Sequence, residues 1–155
     1  MYMKLNLKLT AATALLFASI AGFAQNDKAD AILGKFHSKQ GEDEYKVLVS
    51  KKSDGTYKAQ IYWVANTIDP KTGKKVLDTK NPDKSLRNVP CDEIVLMDGL
   101  KYNAGKKQWD GTKIYDPQRG IRASVTVKFS DPGTLNVRGT VLGIGETAVW
   151  KKIDE

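Results

Sequence analysis

The sequence predicts an all-β fold: an eight-stranded antiparallel up-and-down β-barrel with one or two short helices. Three observations carry this. From Gly34 onward apolar residues recur with a period of two, the segments are separated by short turn-forming runs, and they number eight, enough to close a sheet on itself. An open sheet would leave apolar edges exposed, whereas a closed one has none. A sandwich is the alternative topology, because sequence alone does not show whether the first and last strands meet.

The elements follow in order. "MYMKLNLKLTAATALLFASIAGFAQND" places Lys4 and Lys8 before an apolar run from Leu9 to Phe23 that ends in the small residues Gly22 and Ala24. This is the pattern of a secretory signal peptide, with cleavage expected after Ala24. The run is shorter than the roughly 20 residues of a spanning helix. No cysteine follows it, so a lipoprotein is not expected. Residues 1–24 are therefore read as a leader and 25–155 as one barrel domain, exported to the periplasm or beyond the cell. Its size allows a core without staples. Cys91 is the single cysteine, so no internal disulfide can form, and it is read as a small buried hydrophobe.

Strands are expected near residues 34–39, 44–50, 56–65, 92–102, 107–115, 121–130, 134–143 and 146–153. The alternation is plainest in "ASVTVKF", where Ala123, Val125, Val127 and Phe129 share a face, and in "TLNVRGTV", where Leu135, Val137, Gly139 and Val141 do. "KKSDGT", "SDPGT" and "GIGE" read as hairpin connections. "NDKADAIL" and "NPDKSLRN" are the helix candidates, the second with Asn81 as cap and Pro82 at the first helical position. The irregular stretch from Asn66 to Pro90 is long for a compact domain and is read as either a lid or a solvated crossover at a barrel mouth.

Two segments share an Asp-Pro-x-x-Gly order, "IDPKTGK" and "YDPQRGI". Proline presets the turn, aspartate accepts from following amides and glycine supplies the left-handed exit. Asp69, Pro70, Gly73, Asp116, Pro117 and Gly120 are accordingly assigned to turns. Acid–base chemistry at the two aspartates would need a partner and a shifted pKa. His37 is the only histidine, "GEDEY" reads as a solvated hairpin tip, and neither a nucleophile elbow nor a zinc-binding helix motif occurs. No catalytic residue, metal site or cofactor is assigned. The net charge of +7 comes from scattered lysines and is not read as a nucleic-acid footprint; solubility or attraction to an anionic envelope explains it. Trp63, Trp109, Tyr115 and Trp150 lie on or at the ends of strands, where they could line a ligand site or pack the core, and Arg138 could meet an anionic ligand inside or pack on an aromatic ring.

Taken together, "LGKF", "YWVANTIDPKTGKKVLDTKNPDKSLRNVP", "GLKY", "WDGTKIYDPQRG", "LNVRG" and the closing Trp150 resemble the bacterial exported family known as domain of unknown function 2147. The resemblance covers essentially the whole chain after the leader and implies a lipocalin-like, calycin-type barrel in the periplasm or outside the cell, with no established activity. Two departures stand out. The family follows "VRG" with a glycine-rich link containing Gly-Arg, where this chain has the shorter "TVLGIGETAVW" and Glu146. Its first strand carries Gly34-Lys35-Phe36 in place of Gly-x-Trp, a weaker plug for the barrel end.

The expected function is binding of a small, mainly apolar or amphipathic ligand inside the barrel. A filled barrel that contacts an envelope protein or a membrane surface is the second expectation. An isomerase or hydrolase using Asp69 or Asp116 is the third. The first requires that at least one of Trp63, Trp109 and Trp150 face a cavity of a few hundred Å³.

Overall fold

The computed structural model describes residues 28–155. The leader and its cleavage point lie outside them. Nine strands follow a 3₁₀ turn at Ala29–Ile32: β1 (Gly34–Gln40), β2 (Asp43–Lys51), β3 (Tyr57–Val64), β4 (Val95–Asn103), β5 (Gln108–Asp110), β6 (Lys113–Asp116), β7 (Ile121–Asp131), β8 (Thr134–Val141) and β9 (Ile144–Ile153). All pairings are antiparallel, in the order β5-β4-β3-β2-β1-β9-β8-β7-β6. The sheet closes because β5 pairs with β4 on one side and with β7, through Trp109 and Val127, on the other. β5 and β6 are two halves of one bent strand, broken where Gly111 adopts φ 85°. The molecule is thus a closed barrel of eight staves.

The alternation fills one end of this barrel. Phe36, Val47, Val49, Tyr57, Leu100, Trp109, Val127, Leu135 and Trp150 are all buried. Phe36 and Trp150 stand 6.4 Å apart between ring centroids, and Trp109 meets Tyr102 at 4.9 Å and Phe129 at 5.7 Å. Ile32 and the 3₁₀ turn close this end, with Trp109 Nε1 donating to the Ala29 carbonyl at 3.0 Å. Phe36 is completely buried against Trp150, so the phenylalanine at this position is itself part of the packed end.

Three local expectations are corrected. The second helix candidate is only a 3₁₀ turn at Lys84–Leu86, capped by Asp83, whose side chain accepts from Ser85 N. Asn81 is instead buried, its amide donating to Asp78 Oδ2 at 2.7 Å. The last hairpin turns at Leu142–Gly143, not at "GIGE", because Gly145 and Glu146 already pair with Thr140 and Gly139. Finally, a bulge sits on β3: Ile61 pairs with Val47 and Trp63 with Lys46, leaving Tyr62 as the extra residue. One inserted residue reverses the sidedness of everything after it. Trp63 therefore lies outside, 38% exposed, with Lys46 Nζ 5.2 Å from its ring centroid.

Candidate ligand cavity

The other half of the barrel is open. A cavity of about 950 Å³ reaches down from the mouth between the strands. Its apolar wall is made by Ile61, Ile94, Leu96, Ile114, Val137 and Ala148, with Gly139 and Ala123 where β8 and β7 pass Ile114. Alanines at 123 and 148 leave space here and Gly139 makes room for Ile114, whose Cγ2 would stand 3.2 Å from a Cβ at 139, whereas positions 127, 135 and 150 on the same three strands carry Val, Leu and Trp and fill the closed end. The boundary is marked by Tyr45, which lines the cavity and accepts from Trp150 Nε1 at 3.1 Å. Ser38, paired with Tyr45 across β1 and β2, is buried, and its hydroxyl has no hydrogen-bond partner among the described residues.

On one side the cavity passes through an incomplete seam. β4 pairs with β5 only at Lys101–Asn103, and β6 pairs only with β7, so toward the mouth β4 and β6 are not zipped together. The segment 76–91 lies over this gap as a strap. A bridge between Leu77 and Pro90, and Cys91 N donating to Val76 O at 3.0 Å, hold its two ends together. Ile114 faces inward, against Gly139; its neighbour Tyr115 faces the strap, paired with Arg122, whose guanidinium lies 5.1 Å over its ring. Tyr115 donates to Asp78 Oδ1 at 2.6 Å, and Asn81 donates to the other carboxylate oxygen. Asp78 is buried and lines the cavity without a cationic partner, held by two neutral donors. Burial, and then the Asp78 carboxylate, push the Tyr115 phenol well above its ordinary range. Lys80 Nζ also donates to Gln118 O at 2.6 Å, and Gly120, at φ 67°, passes so close that a Cβ there would sit 2.4 Å from the Lys80 carbonyl. The strap is docked, not free.

The mouth is rimmed by the β1–β2 turn, the strap, the β6–β7 turn and the β8–β9 turn. Both Asp-Pro motifs are turns. Asp69 Oδ1 accepts from Lys71 N at 2.7 Å, and Asp116 Oδ1 accepts from Gln118 N at 2.9 Å and Arg119 N at 3.2 Å, while Gly73 N and Gly120 N return to the two aspartate carbonyls. Pro70 and Pro117 occupy the turn position after each aspartate. Arg119 bridges Asp116 and Glu146. Glu146 thus serves as an anchor for a cation from the neighbouring turn.

Of the aromatic and basic residues singled out as ligand contacts, only Tyr115 lines the cavity. Trp109 and Trp150 are core of the closed end, Trp63 is on the outer wall, and Arg138 is exposed on the outer face of β8, packed over Gly145 with Nη1 3.5 Å from Thr147 Oγ1. The tryptophan criterion therefore fails, although a cavity is present. The aliphatic wall was visible in the alternation of β8, where Val137 and Gly139 share the inner face. Asp78 carried no signal, because its burial depends on a strap that no periodicity announces. Cys91 is half-buried at the cavity wall, and desolvation raises its thiol pKa. No group of three or more His, Cys, Asp or Glu side chains suited to a metal ion occurs among the described residues, and none of their helices is long and apolar enough to cross a membrane.

A family model described as "Uncharacterized protein conserved in bacteria (DUF2147)" matches residues 34–152. The chain belongs to that family. The match begins with β1 and ends one residue short of the end of β9, so the DUF2147 unit is the barrel itself. A solved structure described as "Protein HP1028 from the human pathogen Helicobacter pylori belongs to the lipocalin family" superposes with a TM-score of 0.63 at 23% identity, over 80% of this chain and 84% of that one. At that identity the likeness establishes a shared lipocalin-like barrel and nothing about cargo. Among curated proteins no match is found.

Proposed function

We propose that this DUF2147 protein is an exported carrier or sensor that holds a small, mainly apolar ligand in the open half of its barrel. The observation that carries the reading is the cavity: about 950 Å³, walled by aliphatic side chains, with polar atoms confined to Tyr45, the Tyr115–Asp78 pair and the rim. Small-molecule sites share that make-up, an apolar enclosure of roughly 300–1,000 Å³ with a few placed polar groups. The failed tryptophan criterion removes the aromatic lining expected from sequence, and the reading rests on the aliphatic cavity alone. A barrel filled by its own side chains would carry larger residues than the alanines at 123 and 148. An enzyme using Asp69 or Asp116 finds no support, as both carboxylates are committed to backbone amides in turns.

The test is titration of the purified protein with the apolar fluorophore phenylnaphthylamine, alongside native mass spectrometry of protein taken from its own exported fraction. Saturable probe binding that Ala148→Phe abolishes without loss of the fold is the expected result. Absence of saturable binding together with a clean unliganded mass would overturn the reading.

A further inference from the structure

The turn joining β8 and β9 has the wrong residue for its own stability. Val141 and Ile144 form the closing pair, and the two residues between them both have positive φ, Leu142 at 49° and Gly143 at 83°. Two-residue hairpins of this kind favour Asn, Asp or Gly at the first position, because an L-residue with a bulky side chain is strained in the left-handed region. Here that position holds a leucine that is 98% exposed, flanked by Ile144 at 78% and Val141 at 42%. Neither the backbone nor packing in the isolated molecule rewards this choice. The tip is convex and apolar, and it is continuous with the rim of the cavity, where Val76, Leu77 and Ile121 are also exposed.

We propose that the Val141–Ile144 tip inserts into the surface of a lipid bilayer and sets the mouth of the barrel against it. A bilayer suits a protruding three-residue apolar tip, which has no flat face to offer a second copy of the chain. It also suits the position of the tip, since an apolar ligand passing between hydrocarbon and cavity would otherwise cross water. Arg138 on the same hairpin and Lys80 on the strap have no carboxylate partner among the described residues, and of the +7 on the full sequence +5 remains once Lys4 and Lys8 of the leader are set aside, a sign that suits an anionic headgroup surface. Glu42 and Asp43 at the β1–β2 turn, with Asp78 and with Asp116 and Glu146 sharing Arg119, outnumber those two cations at the mouth, so the hold comes from the apolar tip and the net positive charge of the whole chain adds attraction only at longer range. The docking itself rests on the apolar tip, and only its fit to ligand passage rests on the proposed function.

The experiment is co-sedimentation of the mature chain with vesicles of phosphatidylcholine containing phosphatidylglycerol, comparing wild type with Leu142→Asn. Asparagine suits the turn, so the variant is expected to fold at least as well as wild type, and its vesicle affinity to fall about tenfold or more. An unchanged or raised melting temperature of the variant by circular dichroism shows that loss of vesicle binding is not loss of the fold. The proposal is overturned if wild type and variant sediment equally. It is overturned also if binding vanishes in moderate salt regardless of residue 142, or if sedimentation velocity shows that Leu142 drives self-association in place of vesicle binding.

Discussion

At the scale of single residues, the Asp78–Tyr115 pair is the most consequential contact. A buried carboxylate that loses a donor retains its desolvation cost, and hydrogen bonds to charged groups are worth about 1.5–3 kcal/mol. Tyr115→Phe should therefore lower urea-unfolding stability by about that amount while sparing the closed end of the barrel. The phenols also predict a pH dependence. Burial and a bonded carboxylate raise the folded-state pKa of Tyr57, beside Asp30, and of Tyr115, and push Tyr62, beside Glu155, up to about 12. A raised pKa means that the folded state keeps its proton after the unfolded chain has begun to lose it. The stability from these groups is thus complete below the unfolded value near 10 and is lost as pH rises above it. Chemical unfolding between neutral pH and pH about 11 should show a fall that begins near 10 and becomes shallower in Tyr115→Phe. None of this was legible beforehand, because Asp78 and Tyr115 lie 37 positions apart and meet only through the strap.

At the scale of elements, the bulge on β3 separates two tryptophans that sequence treats alike. Trp109→Ala should cost about 3–5 kcal/mol, as for other core aromatics, whereas Trp63→Ser should stay within about 0.5 kcal/mol and leave probe binding unchanged. Thermal or urea unfolding of the two variants measures the contrast. Period-two alternation was sufficient to locate every stave and to give the inner face of β7 and β8. It could not foresee the bulge, because an extra residue in a ladder is invisible until the partner strand is known. The turns divide in the same way. Asp-Pro-x-x-Gly carries its geometry in its own residues, while the β8–β9 turn starts one residue before the "GIGE" run and shares only Gly143 with it, at a leucine that no turn preference selects. The strap is held by close approach as well as by hydrogen bonds. Gly120→Ala would drive a methyl group into the Lys80 carbonyl at an already left-handed φ, so limited proteolysis within 66–90 should accelerate several-fold while the closed end keeps its amide protection.

For the whole molecule, the division into a filled half and an open half was not readable from composition. The same residue types serve both, and the difference lies in whether alanine or leucine and tryptophan fall at a given level of the barrel. Such a division makes stability dependent on cargo. A ligand at about 100 times its Kd adds about 2.7 kcal/mol to a folded state that alone can bind it. The Tm of the wild type should rise with phenylnaphthylamine concentration, and that of Ala148→Phe should not.

The seam between β4 and β6 has a mechanical consequence. A tube slit along part of its length resists torsion far less than a closed one, and here the slit lies wholly on the side of the mouth, while the ring through β4, β5 and β7 stays intact near the aromatic plug. The part of the barrel least braced against twisting is therefore the part around the cavity. The strap acts as a clasp across the slit, with the phenol of Tyr115 as its pin.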